Sequence, residues 1–183
     1  MKKILCLAAA AALLLACAAC GTPAAKDTLT GTAQEVLAQL KDRVELGMTL
    51  DDEVTAEKAQ NVLGLTEAQF GEYVESAYEA MAAIATFAQS TVIVKCRDAA
   101  AAAQVKKLIA GGYDSRKWIC VFPEQSVVVE SGSYVLLAVG LTDTTNALVE
   151  AFKDLSGGNM GTPDVFFTFD GEGGDIGGGL ALF

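Results

Sequence analysis

The chain has 183 residues, with 23 acidic and 13 basic side chains, no histidine and a formal net charge of -10 at pH 7. This acidity argues against nucleic acid as a partner, because phosphate binding needs clustered Lys and Arg. The pairs Lys106-Lys107 and Arg116-Lys117 are too small to form a basic stripe. Without histidine the chain lacks the commonest metal ligand and any His-dependent catalytic triad, so we expect no metal and no cofactor.

The amino-terminal sequence MKKILCLAAAAALLLACAACG has the order of a secretory signal peptide. Two lysines precede an apolar run from Ile4 to Leu15, and small residues follow it. A helix of about a dozen residues spans roughly 18 Å, whereas a lasting membrane span must cross about 30 Å of hydrocarbon. We therefore expect residues 1–19 to be cleaved.

A cysteine after alanine at such a site resembles the lipobox of bacterial lipoproteins. Cys20 closes the common "AACG" ending, and Cys17 is the alternative because Leu14 lies three residues before it. The resemblance implies a diacylglyceryl group on the cysteine sulfur, the membrane as partner and a location on its extracytoplasmic face. Two acyl chains would hold the protein there stably, and residues 20–30 would form a tether. Ordinary cleavage without a lipid is the remaining alternative.

The first half of the domain contains three candidate helices. Thr32 and Glu35 form a capping box before a helix with one apolar stripe. A second helix is expected from Asp52 to Leu63, with the carboxylates of residues 51–53 at its start favoured by the helix dipole. Thr66 opens another capping box, but residues 70–89 fit either a helix or a strand.

The segment STVIVKCRD predicts a strand, because Val92, Val94 and Cys96 alternate with more polar residues and would share the buried face. Asp98 then caps a helix that Gly111-Gly112 ends.

The segment KWICVFPEQSVVVESGSYVLLAVGL predicts strands joined by turns. Residues 126–140 form a hairpin with Ser131-Gly132 as its two-residue loop. Asp143 is expected to cap a last helix that Gly157-Gly158 ends.

These elements predict an α+β fold: one small domain over residues 31–155, with a mainly antiparallel sheet packed by about four helices. Residues 156–183 form a glycine-rich tail. Within it, Val165 to Phe169 should dock on the domain or add a strand to an edge, because exposed phenylalanines are unfavourable. The apolar sequence LALF ends the printed chain.

Cys96 and Cys120 are the candidate disulfide. They are not in a C-x-x-C arrangement, so a structural bridge or two buried thiols are favoured over redox chemistry. A bridge would contribute on the order of 3.5 kcal/mol by the chain-entropy estimate.

The order LGLTEAQFGEYVESAY, VIVKCRDAAAAAQVKKLI, CVFPEQ and VVVESGSYVLLAVG over residues 32–155 resembles the family called domain of unknown function 4358. The resemblance implies a small secreted lipoprotein of a Gram-positive bacterium and supplies no catalytic residues. We expect a non-catalytic module that binds a small ligand or a protein of the cell envelope. The alternative is a surface hydrolase that uses carboxylates, although no spacing indicates it.

Overall fold

A computed structural model describes residues 29–84 and 86–169. The predicted signal peptide, Cys17, Cys20 and residues 170–183 lie outside the described residues. The helices are α1 (Ala33–Lys41), α2 (Ala56–Leu63), α3 (Glu67–Tyr73), α4 (Ala99–Gly112) and α5 (Thr142–Leu155). The strands are β1 (Thr49–Glu53), β2 (Val74–Ala82), β3 (Ser90–Cys96), β4 (Gln125–Ser131), β5 (Tyr134–Gly140) and β6 (Asp164–Thr168).

The strands form one six-stranded sheet in the order β1-β2-β3-β5-β4-β6, and every neighbouring pair is antiparallel. This arrangement confirms the predicted α+β fold with its antiparallel sheet. Five helices pack on the sheet in the described part of the chain, where about four were expected.

Both faces of the sheet are covered by helices. Val92, Val94 and Cys96 on β3 face a core that includes residues of α2 and α4, as their alternation predicted. Ile93 points to the other face, where it packs in a second core with residues of α1 and α5. Because both faces are dry, the central strands β3, β4 and β5 are almost continuously buried.

Two crossover connections interlock in this sheet. β3 and β4 run parallel with β5 between them, and β5 and β6 run parallel with β4 between them. The connecting helices α4 and α5 lie on opposite faces. β3 and β5 run in opposite directions, and both crossovers move toward the β6 edge of the sheet. Two such crossovers have the same hand only if their helices lie on opposite faces.

The helix expected from Asp52 to Leu63 is wrong in its first turn. Residues 51–53 belong to β1, where they pair with β2. α2 begins only after Thr55, whose side chain makes no capping hydrogen bond. The Lys41 and Lys58 ammonium groups pair with the carboxylates of Asp51 and Asp52, so side-chain partners compensate these charges on the strand.

The other helix starts are correct except for Asp143. Thr32 and Thr66 form complete capping boxes, and Asp98 accepts a hydrogen bond from the Ala101 N–H at 2.7 Å. Asp143 lies inside the first turn of α5. The Thr142 N–H at that helix start donates instead to Glu124 Oε2 at 2.9 Å.

The hairpin of β4 and β5 is confirmed, with its loop one residue later than expected. Ser131 pairs with Tyr134, so Gly132 and Ser133 form the turn. Residues 117–123, predicted as strand, are irregular.

The ambiguous stretch divides at Tyr73: α3 ends there and β2 follows directly. At the other end of the domain, β6 pairs with β4, which confirms that residues 165–169 add to a sheet edge. The domain therefore continues past the expected boundary at Leu155. Leu29, placed in the tether, is buried against the core of α1 and α5.

Candidate functional site

One end of the sheet carries a cluster of exposed large apolar side chains. We call it the Phe87 surface, and it consists of Met48, Leu50, Ile84, Phe87, Ile119, Phe122 and Leu141. Met48 is 73 % exposed and Ile119 is 87 % exposed. Among the described residues, Val165 is the only other large apolar side chain of comparable exposure. Single exposed apolar residues are ordinary, whereas a contiguous group indicates a contact surface.

The loop between β2 and β3 presents Phe87 at the centre of this surface. The Ala82 N–H donates to Gln89 O at 3.0 Å, and the Ala83 N–H donates to Met48 O at 2.9 Å. The Gln89 side chain donates to Leu46 O at 2.9 Å. These bonds join the two ends of the loop to each other and to the segment before β1.

Three clefts that share Phe87 make up the surface, with volumes of about 280, 360 and 300 Å³. Leu141 and Phe122 line the first, Leu50 and Ile119 line the second, and Met48 lines the third. All three open to solvent. A small-molecule site usually encloses most of its ligand in one concave pocket, and here Phe87 separates three shallow ones.

The irregular segment between α4 and β4 contributes Ile119 and Phe122 to the surface. Cys120 has a φ of 64°, a left-handed conformation that is unusual for a residue other than glycine. Ile119 and Val121 on either side of it both line the second cleft. The ring of Phe122 packs against that of Phe169 with centroids 5.2 Å apart, which connects the surface to the residue that follows β6.

A charged groove of about 530 Å³ adjoins the second cleft, and the two share Met81, Lys117 and Trp118. Asp52 and Glu79 face each other across β1 and β2 in this groove. The hydrogen bond from Lys58 holds the pKa of Asp52 below its usual range. Glu79 accepts a hydrogen bond from Ser90 Oγ at 2.6 Å.

Lys117 forms the boundary between the apolar and charged regions. Its ammonium group lies 4.5 Å from the Tyr113 ring centroid and 5.6 Å from that of Trp118, and it donates to the Asn61 carbonyl. Burial lowers the pKa of Lys117, although Glu79 and Asp114 oppose that shift. The Tyr113 hydroxyl and the Trp118 indole N–H are buried close together without the geometry of a hydrogen bond, and burial raises the pKa of Tyr113.

The candidate disulfide is not formed in the structure. Both thiols are free: Cys96 lies in the core beneath α4, whereas Cys120 is exposed at the apolar end of the sheet. The alternative of two buried thiols is therefore wrong for Cys120. Burial, and to a smaller extent Asp98, raises the pKa of Cys96 to about 12, so this thiol is inert at neutral pH.

Asp52 and Glu79 are the facing carboxylates that a hydrolase in this groove would have to use. Such an enzyme needs one carboxyl group that stays protonated near neutral pH and a second that is ionised. Asp52 is paired with Lys58, which favours its ionised form. In the described part of the chain no three His, Cys, Asp or Glu side chains gather in a way that could hold a metal ion. Within the same residues, no helix has the length and apolar character to cross a bilayer.

The sequence contained a signal for the Phe87 surface that did not enter the predictions. Ile84 and Phe87 lie in a stretch that fitted either a helix or a strand, and Ile119 and Phe122 were assigned to strands. Neither assignment predicted that these apolar side chains would be exposed. The available signal was the number of large apolar residues in these two short segments, which is more than a short turn can bury.

Comparison of the chain with protein-family models, with curated proteins and with solved structures finds no match. The resemblance to the domain of unknown function 4358 family therefore stays a prediction from the sequence.

Proposed function

We propose that this chain is a non-catalytic lipoprotein, anchored on the extracytoplasmic face of the cell membrane, that binds a protein of the cell envelope through the Phe87 surface. The clustering of seven exposed apolar side chains at one end of a well-packed domain carries this proposal. The signal-peptide order and the cysteines at positions 17 and 20 support the anchor.

The position of the amino-terminal segment favours a partner beyond the membrane surface. Gly31 O accepts a hydrogen bond from the Tyr134 hydroxyl at 2.7 Å, and Tyr134 begins β5. Gly140, at the other end of β5, lines a cleft with Phe87. A seven-residue strand spans about 20 Å. A lipid-bearing tether would therefore join the domain at the end opposite the Phe87 surface, which would then face away from the bilayer.

A protein partner fits this surface better than a small ligand. The three clefts are shallow and adjacent, and apolar side chains dominate their rims. Protein interfaces have such a patch at their centre with polar groups around it. The adjoining charged groove, lined by Asp52, Lys58 and Glu79, would supply the polar rim.

The binding proposal is tested by cross-linking the full-length protein in membranes of the cell that makes it. Phe87→Asp should abolish the cross-linked product, because a carboxylate at the centre of the contact would be desolvated. Val165→Asp is the matched control, since Val165 is about as exposed but lies on β6. Equal yields of product from both variants would refute binding at the Phe87 surface.

The anchor is tested separately by intact mass. Cys20→Ala should remove the acyl mass and release the protein from the membrane fraction, whereas Cys17→Ala should retain both. The reverse pattern would place the lipid on Cys17. Retention by the double variant would overturn lipid anchoring.

A further inference from the structure

We propose that the apolar segment of residues 180–183, Leu-Ala-Leu-Phe, docks on the Phe87 surface of its own chain and covers it until a partner displaces it. The inference goes beyond the proposed function, because self-docking holds whether or not the chain is lipidated. Three observations support it: the position at which the described chain ends, the length and composition of the sequence that follows, and the apolar character of both residues 180–183 and the Phe87 surface.

The described chain ends at the rim of the Phe87 surface. The Phe169 N–H donates to Glu124 O at 2.9 Å, and its ring packs on Phe122. Phe122 is a member of the surface and lines a cleft with Phe87 and Leu141. The following residues therefore start beside the apolar side chains.

The length of the intervening sequence matches the width of the surface. Six of the ten residues from 170 to 179 are glycine, and the random-coil relation for glycine-rich linkers gives a root-mean-square span of about 16–19 Å for ten residues. The surface extends from β4 across β5, β3 and β2 to β1, which is four strand spacings or about 19 Å. The apolar segment can thus reach every cleft around Phe87.

Tethering compensates for the small size of the segment. Four residues would bind only weakly as a free peptide, but a short flexible linker raises the effective concentration to the millimolar range. Leu180, Leu182 and Phe183 supply three large apolar side chains without a charged one, which suits shallow clefts lined by Phe87, Ile119 and Leu141. Covering them also removes a patch that would favour aggregation.

Disulfide trapping in the untruncated chain tests the contact, because Cys120 is a native exposed thiol in the segment between Ile119 and Phe122 of the surface. Gly179→Cys places a second thiol next to the docking segment, and a bridge requires the two Cα atoms to come within about 7 Å. Under mild oxidation in membranes, mass spectrometry should find residues 120 and 179 linked within one chain.

Two matched variants separate docking from random collision. In the Gly179→Cys background, serine at positions 180, 182 and 183 keeps the length of the segment but removes its apolar side chains. Phe87→Ser alters the receiving side. Each should lower the initial rate of bridging by about tenfold, since the tether still raises the effective concentration but the apolar contact that holds residue 179 beside Cys120 is lost. Equal rates in all three proteins would overturn the proposal, and so would a bridge that joins two chains.

A second measurement does not need an engineered thiol. Alkylation of Cys120 should be several-fold faster in a chain truncated after Phe169 than in the untruncated chain, while the described elements are retained in both. Circular dichroism checks that the fold is unchanged. Faster alkylation supports docking even where the bridge geometry is unfavourable. Absence of both the bridge and the protection overturns docking, whereas the proposed partner binding is judged independently by the cross-linking of Phe87→Asp.

Discussion

Phe167→Ala should destabilise the domain strongly, because this side chain attaches β6 to the sheet. Phe167 is 6 % exposed and lies opposite Ser126 of β4. Truncation of a buried phenylalanine to alanine costs about 3–5 kcal/mol, from lost burial and from the cavity left behind. An edge strand can relax partly around the cavity, so we expect a loss near the lower end, about 3 kcal/mol.

The neighbouring Val165 provides the matched control. Val165 is on the same strand and 47 % exposed, so Val165→Ala should change the free energy of unfolding by less than about 0.5 kcal/mol. Urea unfolding followed by circular dichroism measures both variants. At 2–4 °C per kcal/mol for a chain of this size, Phe167→Ala should also lower the melting temperature by about 6–12 °C. Equal stability of the two variants would show that β6 is not docked as described.

Three further outcomes are expected. Gly64→Ala should lower the free energy of unfolding by about 2–3 kcal/mol, because Gly64 has a φ of 72° and a Cβ there would lie 2.3 Å from the backbone of α4. Gly71→Ala is the control: its Cβ would meet open space, so thermal unfolding should show a neutral or slightly stabilising effect. A maleimide should label Cys120 in the folded protein and Cys96 only as fast as the protein unfolds; rapid labelling of both would contradict the buried position of Cys96. Folding lowers the pKa of Lys117 from 10.5, so at alkaline pH the native state binds fewer protons than the unfolded state. The stability of the wild type in urea unfolding should therefore rise relative to that of Lys117→Met as the pH increases toward 10.5. A stability difference that does not change with pH would refute this.

The regular part of the fold was predictable where local chemistry decides structure. The capping boxes at Thr32 and Thr66 and the side chain of Asp98 supply acceptors within the same segment, so the helix starts could be read from neighbouring residues. The hairpin of β4 and β5 depends on its own two-residue turn. These interactions need no information from distant parts of the chain.

Features set by distant residues were not predictable. Residues 51–53 resemble a helix start, but β2 offers them a hydrogen-bonding edge and lysines offer ion pairs. Asp143 resembles a cap, but Glu124 occupies that role from another loop. Long-range pairing decides both cases. The Phe87 surface was missed for a related reason: a pattern of apolar residues indicates that they are shielded somewhere, without saying whether the shield is the core or another molecule.

The interlocked crossovers have a consequence for how the domain forms during synthesis. β3 and β4 cannot acquire their common neighbour until residues 134–140 exist, and β4 gains its second neighbour only when residues 164–168 arrive. Sheets whose strands pair out of chain order fold slowly, because loop closure must precede the contacts that repay it. A nascent chain of this protein would therefore complete its sheet only when almost the whole domain has been made.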